Sequence, residues 1–157
     1  MPAPDKDQVQ IRLRKAYELS GRLCVREQLY IETLYHGFVT GDLEKTRQAY
    51  ELWTRTYSRD GAQNDLAELY MEFGQFEKGL AEFREADRLG PNDPLIYANI
   101  VFAYLTLNRL QEARATAQAA QTKNLDSDSL RYQLYKLAFL QNDATEIARQ
   151  VSWDDAR

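Results

Sequence analysis

Residues 60–93 read DGAQNDLAELYMEFGQFEKGLAEFREADRLGPND, and this stretch decides the fold. Its first half carries Ala67 and Tyr70 three residues apart within an apolar run, and its second half repeats the pattern with Phe83 and Ala86. Apolar residues at such steps lie on one face of an α-helix. The stretch therefore predicts two amphipathic helices that form a hairpin around a central turn.

The turn at the centre of this stretch recurs along the chain. A glycine or asparagine follows each apolar run at a regular interval of about 34 residues: Gly41, Gly74, Asn108 and Asn142. A helix pair of this length cannot bury its apolar face alone, so neighbouring pairs must cover one another. The sequence thus predicts a stack of helical hairpins.

The spacing within each period resembles the tetratricopeptide repeat, whose length is also about 34 residues. The copy that follows residues 60–93 keeps the signature well, with Tyr97, Ile100, Val101, Tyr104, Ala113, Ala117 and Ala120 at the corresponding positions. This resemblance implies an all-α fold, a right-handed α-solenoid of stacked antiparallel helix pairs with about nine helices.

The same repeat divides the chain into segments. We expect one helical repeat domain over 1–157, in which 7–26 is the unpaired second helix of a truncated repeat, so that the segment is part of something longer. Three full repeats and a partial or capping repeat follow, at 27–60, 60–93, 94–127 and 128–157. The predicted helices span 7–22, 26–39, 43–57, 62–73, 76–88, 94–106, 110–123, 128–140 and 144–153.

Several runs outside the generic repeat point to a narrower group. KAYEL at 15–19, EQLYIE at 27–32, TGDLEK at 40–45 and YELW at 50–53 are similar to the C-terminal regions of large bacterial signalling proteins. In those proteins a serine/threonine kinase or winged-helix domain precedes the repeats. The chain contains neither the glycine-rich loop nor the catalytic-loop motif of a kinase, so any kinase activity would belong to another part of such a protein.

The composition excludes several classes of function. The chain has 20 basic and 24 acidic residues and a net charge of -4, which argues against a nucleic-acid surface. Its single cysteine, Cys24, can form neither an internal disulfide nor a cysteine-based zinc site. No stretch approaches a membrane span, and the start lacks the order of a signal peptide. We expect a cytoplasmic protein, or an extracytoplasmic one if its parent is anchored in a membrane.

No residue pattern predicts catalysis, a metal or a cofactor. His36 is the only histidine, and no nucleophile elbow or metal-spaced motif accompanies it, so we expect a packed structural residue. Asp126 and Asp128 lie between two predicted helices, where we expect them to cap a helix. The chain is therefore expected not to be an enzyme.

By the same resemblance, the first helix of each repeat lines a concave groove that holds a partner. The most informative outward residues are Glu32, Tyr35, Phe38, Asn64, Asp65, Glu68, Met71, Glu72, Asn99, Phe102, Tyr132 and Lys136, with Gln28, Ile31, Leu95, Leu105, Thr106, Gln133 and Phe139 beside them. The second repeat carries acids where the family's clamp for a C-terminal carboxylate has bases. Aromatic anchors beside acids favour a protein or peptide with apolar and basic residues.

Two other interpretations of these residues stay open. The aromatics could pack against neighbouring helices instead of a partner. The module could also be a structural spacer, or could self-associate by end-to-end stacking of repeats into a homo-oligomer.

Overall fold

The computed structural model describes residues 5–154, so the two ends of the predicted domain 1–157 lie outside the described residues. Within 5–154 the chain forms nine α-helices and no strand, which confirms the predicted all-α class. The helices are α1 (Lys6–Leu19), α2 (Val25–Tyr35), α3 (Leu43–Thr56), α4 (Gln63–Glu72), α5 (Phe76–Leu89), α6 (Pro94–Thr106), α7 (Leu110–Thr122), α8 (Asp128–Leu140) and α9 (Ala144–Asp154).

The predicted helix bounds are correct to within a few residues except near the start of the chain. The helix expected at 7–22 ends at Leu19, and a 3-10 turn follows at Ser20–Arg22. The helix expected at 26–39 ends at Tyr35 and continues as a π-helical turn, His36–Thr40. Of the helices in the described part of the chain, none combines the length and apolar character required to cross a bilayer.

The chain falls into two compact units, Met1–Leu69 and Tyr70–Arg157, which divide within α4. In the first unit α2 packs against both α1 and α3. In the second unit α6 packs against α5, α7 and α8, and α8 also packs against α9. The predicted division into repeats stays a prediction.

The helix starts follow local capping chemistry. Asp93 accepts a hydrogen bond from the Leu95 backbone N–H at 2.8 Å, and Pro94 occupies the first turn of α6. Asp143 likewise accepts from the Glu146 N–H at 3.0 Å. Each carboxylate thus satisfies a backbone N–H in the first turn of its helix.

The cap of α8 differs from the prediction. Ser127, not an aspartate, is the capping residue, because its hydroxyl accepts the Leu130 N–H at 3.2 Å. Asp126 instead accepts hydrogen bonds from the Arg131 guanidinium, and Asp128 is already the first residue of the helix.

The helix ends confirm the turn positions that define the repeat. Gly41, Gly74, Asn108 and Asn142 all have left-handed backbones, with φ of 67°, 70°, 56° and 53°. After three of them the same capping bond recurs, as the N–H of 75, 109 and 143 donates to the carbonyl of 70, 104 and 138. Each of these hydrogen bonds closes a turn of six residues and satisfies a carbonyl at the end of the helix. The sequence period of about 34 residues thus coincides with a helix ending that recurs in the structure.

Gly74 offers a direct test of that geometry. A Cβ built at Gly74 meets nothing within 4 Å, so a substitution would be strained only by its left-handed backbone. We expect Gly74→Ala to lower the free energy of unfolding by about 1 kcal/mol. Gly74→Asn should cost clearly less, since asparagine holds the same conformation at positions 108 and 142. Urea unfolding of both variants checks this, and equal losses would contradict it.

Candidate partner-binding surfaces

In the first unit, α1 covers part of the predicted surface. The ring of Tyr35 stacks on that of Tyr17 with centroids 4.0 Å apart and planes at 7°, so Tyr35 is half-buried. His36 lies edge-on to both rings, at 5.7 Å and 5.3 Å, as expected for a packed structural residue. Phe38 is open to solvent with 65% of its surface exposed, whereas Glu32 is half-buried. Tyr35 therefore contributes to packing, while part of its surface stays accessible.

Acidic side chains of α4 form an open surface in the same unit. Asp65 and Glu68 are both exposed, and Asn64 donates a hydrogen bond from Nδ2 to Oε1 of Glu68 at 3.1 Å. The Tyr50 hydroxyl donates to Oδ2 of Asp65 at 3.4 Å. Burial raises the pKa of Tyr50 to about 12, and the Asp65 charge adds to that rise, so the phenol stays a neutral donor. We call Asp65 and Glu68 the α4 acids.

The last turn of α4 belongs to the second unit and differs from expectation. Glu72 is exposed, but Met71 retains only 9% of its surface. Met71 follows the fully buried Ala67 by four residues, and residues at that step share a helix face. Met71 therefore belongs to the buried side of the helix and offers little surface to a partner.

An apolar cleft lies between α6 and α8 in the second unit. Its volume is about 310 Å³, and its lining consists of Phe102, Leu105, Thr106, Tyr135, Lys136, Phe139 and Leu140. Phe139 and Leu140 remain 65% and 54% exposed. Such a concave, mostly apolar surface is the usual form of a ligand site. We call it the α6–α8 cleft.

Three residues that the sequence predicted for the surface lie together at the cleft, and two of them, Phe102 and Lys136, line it. Nζ of Lys136 lies 4.3 Å from the ring centroid of Tyr132 and 5.4 Å from that of Phe102. An ammonium at such distances is attracted to the negative face of each ring. Tyr132 is 58% exposed, and Asn99, one turn before Phe102, is half-buried. Phe102, Tyr132 and Lys136 thus form one cluster.

Sequence reasoning missed two residues of the cleft, Tyr135 and Leu140. Leu140 follows Lys136 by four residues, and Tyr135 precedes Phe139 by four. Because side chains at that step share a helix face, the spacing alone could have found both. Among the side chains of residues 5–152, no group of His, Cys, Asp or Glu is arranged to hold a metal ion.

Solved structures with a similar fold are tetratricopeptide repeat proteins. One, from Parabacteroides merdae, superposes with a TM-score of 0.73 at 16% identity over 95% of this chain. This chain spans only 59% of that protein. The TPR-like repeats of a putative kinesin light chain from Podosopora anserina match at a TM-score of 0.73 and 15% identity, over 96% of this chain and 85% of theirs.

A third similar structure is a complex. It is the TPR2B domain of yeast Sti1 with pHsp70, and it matches at a TM-score of 0.54 and 17% identity over 82% of this chain and 90% of its own. The sequence matches no protein-family model and no curated protein. At these identities the likeness concerns the fold: the chain has an all-α, tetratricopeptide-like fold.

Proposed function

We propose that this chain is a protein-interaction scaffold that binds a peptide or a neighbouring domain through the concave side of its repeats. The observation that carries the proposal is the α6–α8 cleft, whose aromatic and aliphatic side chains stay open to solvent. Contiguous exposed apolar surface of this kind marks sites of protein contact, and buried aromatic anchors supply most binding energy at such sites. The Sti1 domain, which shares the fold, is in a complex with pHsp70.

Charge in the first unit adds a second requirement on the partner. The α4 acids are exposed and lie on the helix face predicted to point outward. Exposed carboxylates favour approach of basic groups and act mainly on the association rate and on specificity. We therefore propose a partner that carries both apolar and basic residues.

The resemblance of the chain to bacterial signalling proteins suggests its setting. We propose that it belongs to a larger cytoplasmic protein in which a kinase or winged-helix domain precedes the repeats. We assign no catalytic role to the chain, since its histidine packs edge-on against two tyrosines. The scaffold would then recruit a partner to an activity that lies elsewhere.

A second candidate function is self-association or a structural spacer. It is favoured by α1, which has no buried residue and exposes 58% of Ile11 and 48% of Leu19. Light scattering over a range of concentrations tests for self-association. A mass that stays that of one chain would exclude self-association through α1.

Selection of peptides from a displayed library against the full chain tests the scaffold proposal. We expect Phe139→Ala to weaken binding of a selected peptide by about tenfold or more, because a large exposed anchor of the cleft is lost. Fluorescence anisotropy with the labelled peptide measures the change. Phe73→Ala is the matched control, since Phe73 is also exposed, at 38%, but does not line the cleft.

Two results would contradict the proposal. One is a library that yields no peptide binder. The other is a set of binders whose affinities Phe139→Ala and Phe73→Ala lower equally, because the cleft would then contribute nothing specific.

A further inference from the structure

Lys136 is the only charged residue among the seven that line the α6–α8 cleft. Its Nζ faces the rings of Tyr132 and Phe102, and the residue is half-buried. Among the described side chains, those of residues 5–152, no carboxylate lies within 4.0 Å of this ammonium. The ring faces thus receive the cation.

Filling the cleft changes the surroundings of Lys136. An apolar side chain against Phe102 and Phe139 would displace the water around the ammonium. A desolvated charge is costly unless an opposite charge accepts its hydrogen bonds, and the contact with two rings compensates only in part. An occupant that brings its own oxygen anion avoids this penalty.

We propose that the α6–α8 cleft binds an internal segment of a partner in which a Phe or Leu side chain fills the cleft and a Glu or Asp within one helical turn pairs with Lys136. The inference rests on the proposed scaffold function and specifies the partner's chemistry. A lone ammonium is a compact point charge that suits one side-chain carboxylate. A chain-terminal carboxylate is usually captured by several convergent donors, which the lining of this cleft does not offer.

The α6–α8 cleft and the α4 acids favour opposite charges on whatever binds each of them. The α4 acids favour basic groups of the partner, but a basic residue beside the apolar anchor would face the ammonium of Lys136. Like charges that meet in a desolvated contact act against binding. The segment in the cleft is therefore acidic, even where the rest of the partner is basic.

The experiment uses blocked peptides, which exclude binding by a terminal carboxylate. An array of acetylated and amidated peptides of about twelve residues carries a fixed Phe-x-x-x-Leu pair, with Glu, Gln or Lys at each remaining position in turn. The full 157-residue chain is applied to it. The strongest Glu peptide and its Gln and Lys counterparts are then measured in solution by fluorescence anisotropy.

We expect the Glu peptide to bind the wild type about tenfold more tightly than its Gln counterpart, as for a charge-assisted hydrogen bond. Lys136→Gln should remove this preference, and Lys136→Glu should make the Lys peptide the tighter binder. Lys78→Gln is the matched control and should keep the preference, because Lys78 also lies over a tyrosine ring, at 5.4 Å from Tyr70, but outside the cleft.

Several outcomes would overturn the inference. They are equal binding of the Glu and Gln peptides, tighter binding of the Lys peptide to the wild type, and a preference that survives Lys136→Gln. Tighter binding of a Gln peptide with a free C-terminal carboxylate would also overturn the assignment to an internal side chain. In each case the scaffold function stands as long as Phe139→Ala still weakens binding. If neither the array nor the library yields a binder, both the inference about the cleft and the proposed scaffold function are contradicted.

Discussion

Phe83→Ala is expected to lower the free energy of unfolding by about 3–5 kcal/mol. Phe83 lies in α5 with 1% of its surface exposed and is, among the described residues, the largest fully buried side chain. Truncation to alanine removes its apolar contacts and leaves a cavity, because the packed neighbours relax only in part. Urea unfolding of the whole chain, followed by circular dichroism, measures the change; α5 packs against α6 in the second unit.

Phe139→Ala is the control for this prediction. Phe139 is 65% exposed, so its removal should change the free energy of unfolding by less than about 1 kcal/mol. The contrast also supports the binding experiments, since it separates a variant that loses contacts with a partner from one that loses its fold. Similar losses for both variants would mean that Phe139 packs in the core and that the cleft is not an open surface.

Much of the fold could be predicted because the residues that recur in the sequence also set the backbone conformation at the helix ends. Gly74, Asn108 and Asn142 recur at the repeat period of about 34 residues, and each ends its helix in the left-handed conformation. At each of these helix ends, the carbonyl four residues before the glycine or asparagine accepts the same type of capping hydrogen bond. A sequence period that coincides with a hydrogen-bonding pattern predicts helix ends well.

The π-helical turn at His36–Thr40 was not predicted, because the backbone change leaves no mark in the sequence pattern. An extra residue in a helical turn shifts the later side chains but leaves a run of helix-compatible residues in the sequence. The periodicity therefore predicted one helix through this region. In the structure, the Asp42 N–H donates back to the His36 carbonyl at 3.0 Å, beyond a left-handed Gly41.

The cluster in the cleft was predictable from the repeat. Phe102 and Lys136 stand one repeat period apart, so they hold equivalent positions on neighbouring helices, and Tyr132 precedes Lys136 by one turn. Pairings between helices of different repeats were not predictable at this level. Tyr35 is covered by Tyr17 because of how α1 packs on α2, which no spacing within one repeat specifies.

Ala117→Leu is expected to lower the free energy of unfolding by about 2–3 kcal/mol, the largest effect we expect from adding atoms to this chain. Ala113, Ala117 and Ala120 have no exposed surface, and α7 packs against both α6 and α8. Small side chains at these positions allow the helices to approach closely. A leucine at Ala117 would force its neighbours from their preferred rotamers or move the helix.

Ala119→Leu is the matched control, because Ala119 lies in the same helix but is exposed. Leucine and alanine have similar helix propensities, so this variant should remain within about 0.5 kcal/mol of the wild type. Urea unfolding of the two variants isolates the effect of burial from that of the substitution. Equal stabilities would contradict the close packing of α7. Since α6 and α8 also form the cleft, any helix shift in Ala117→Leu should weaken binding of the selected peptide, while Ala119→Leu should leave it unchanged.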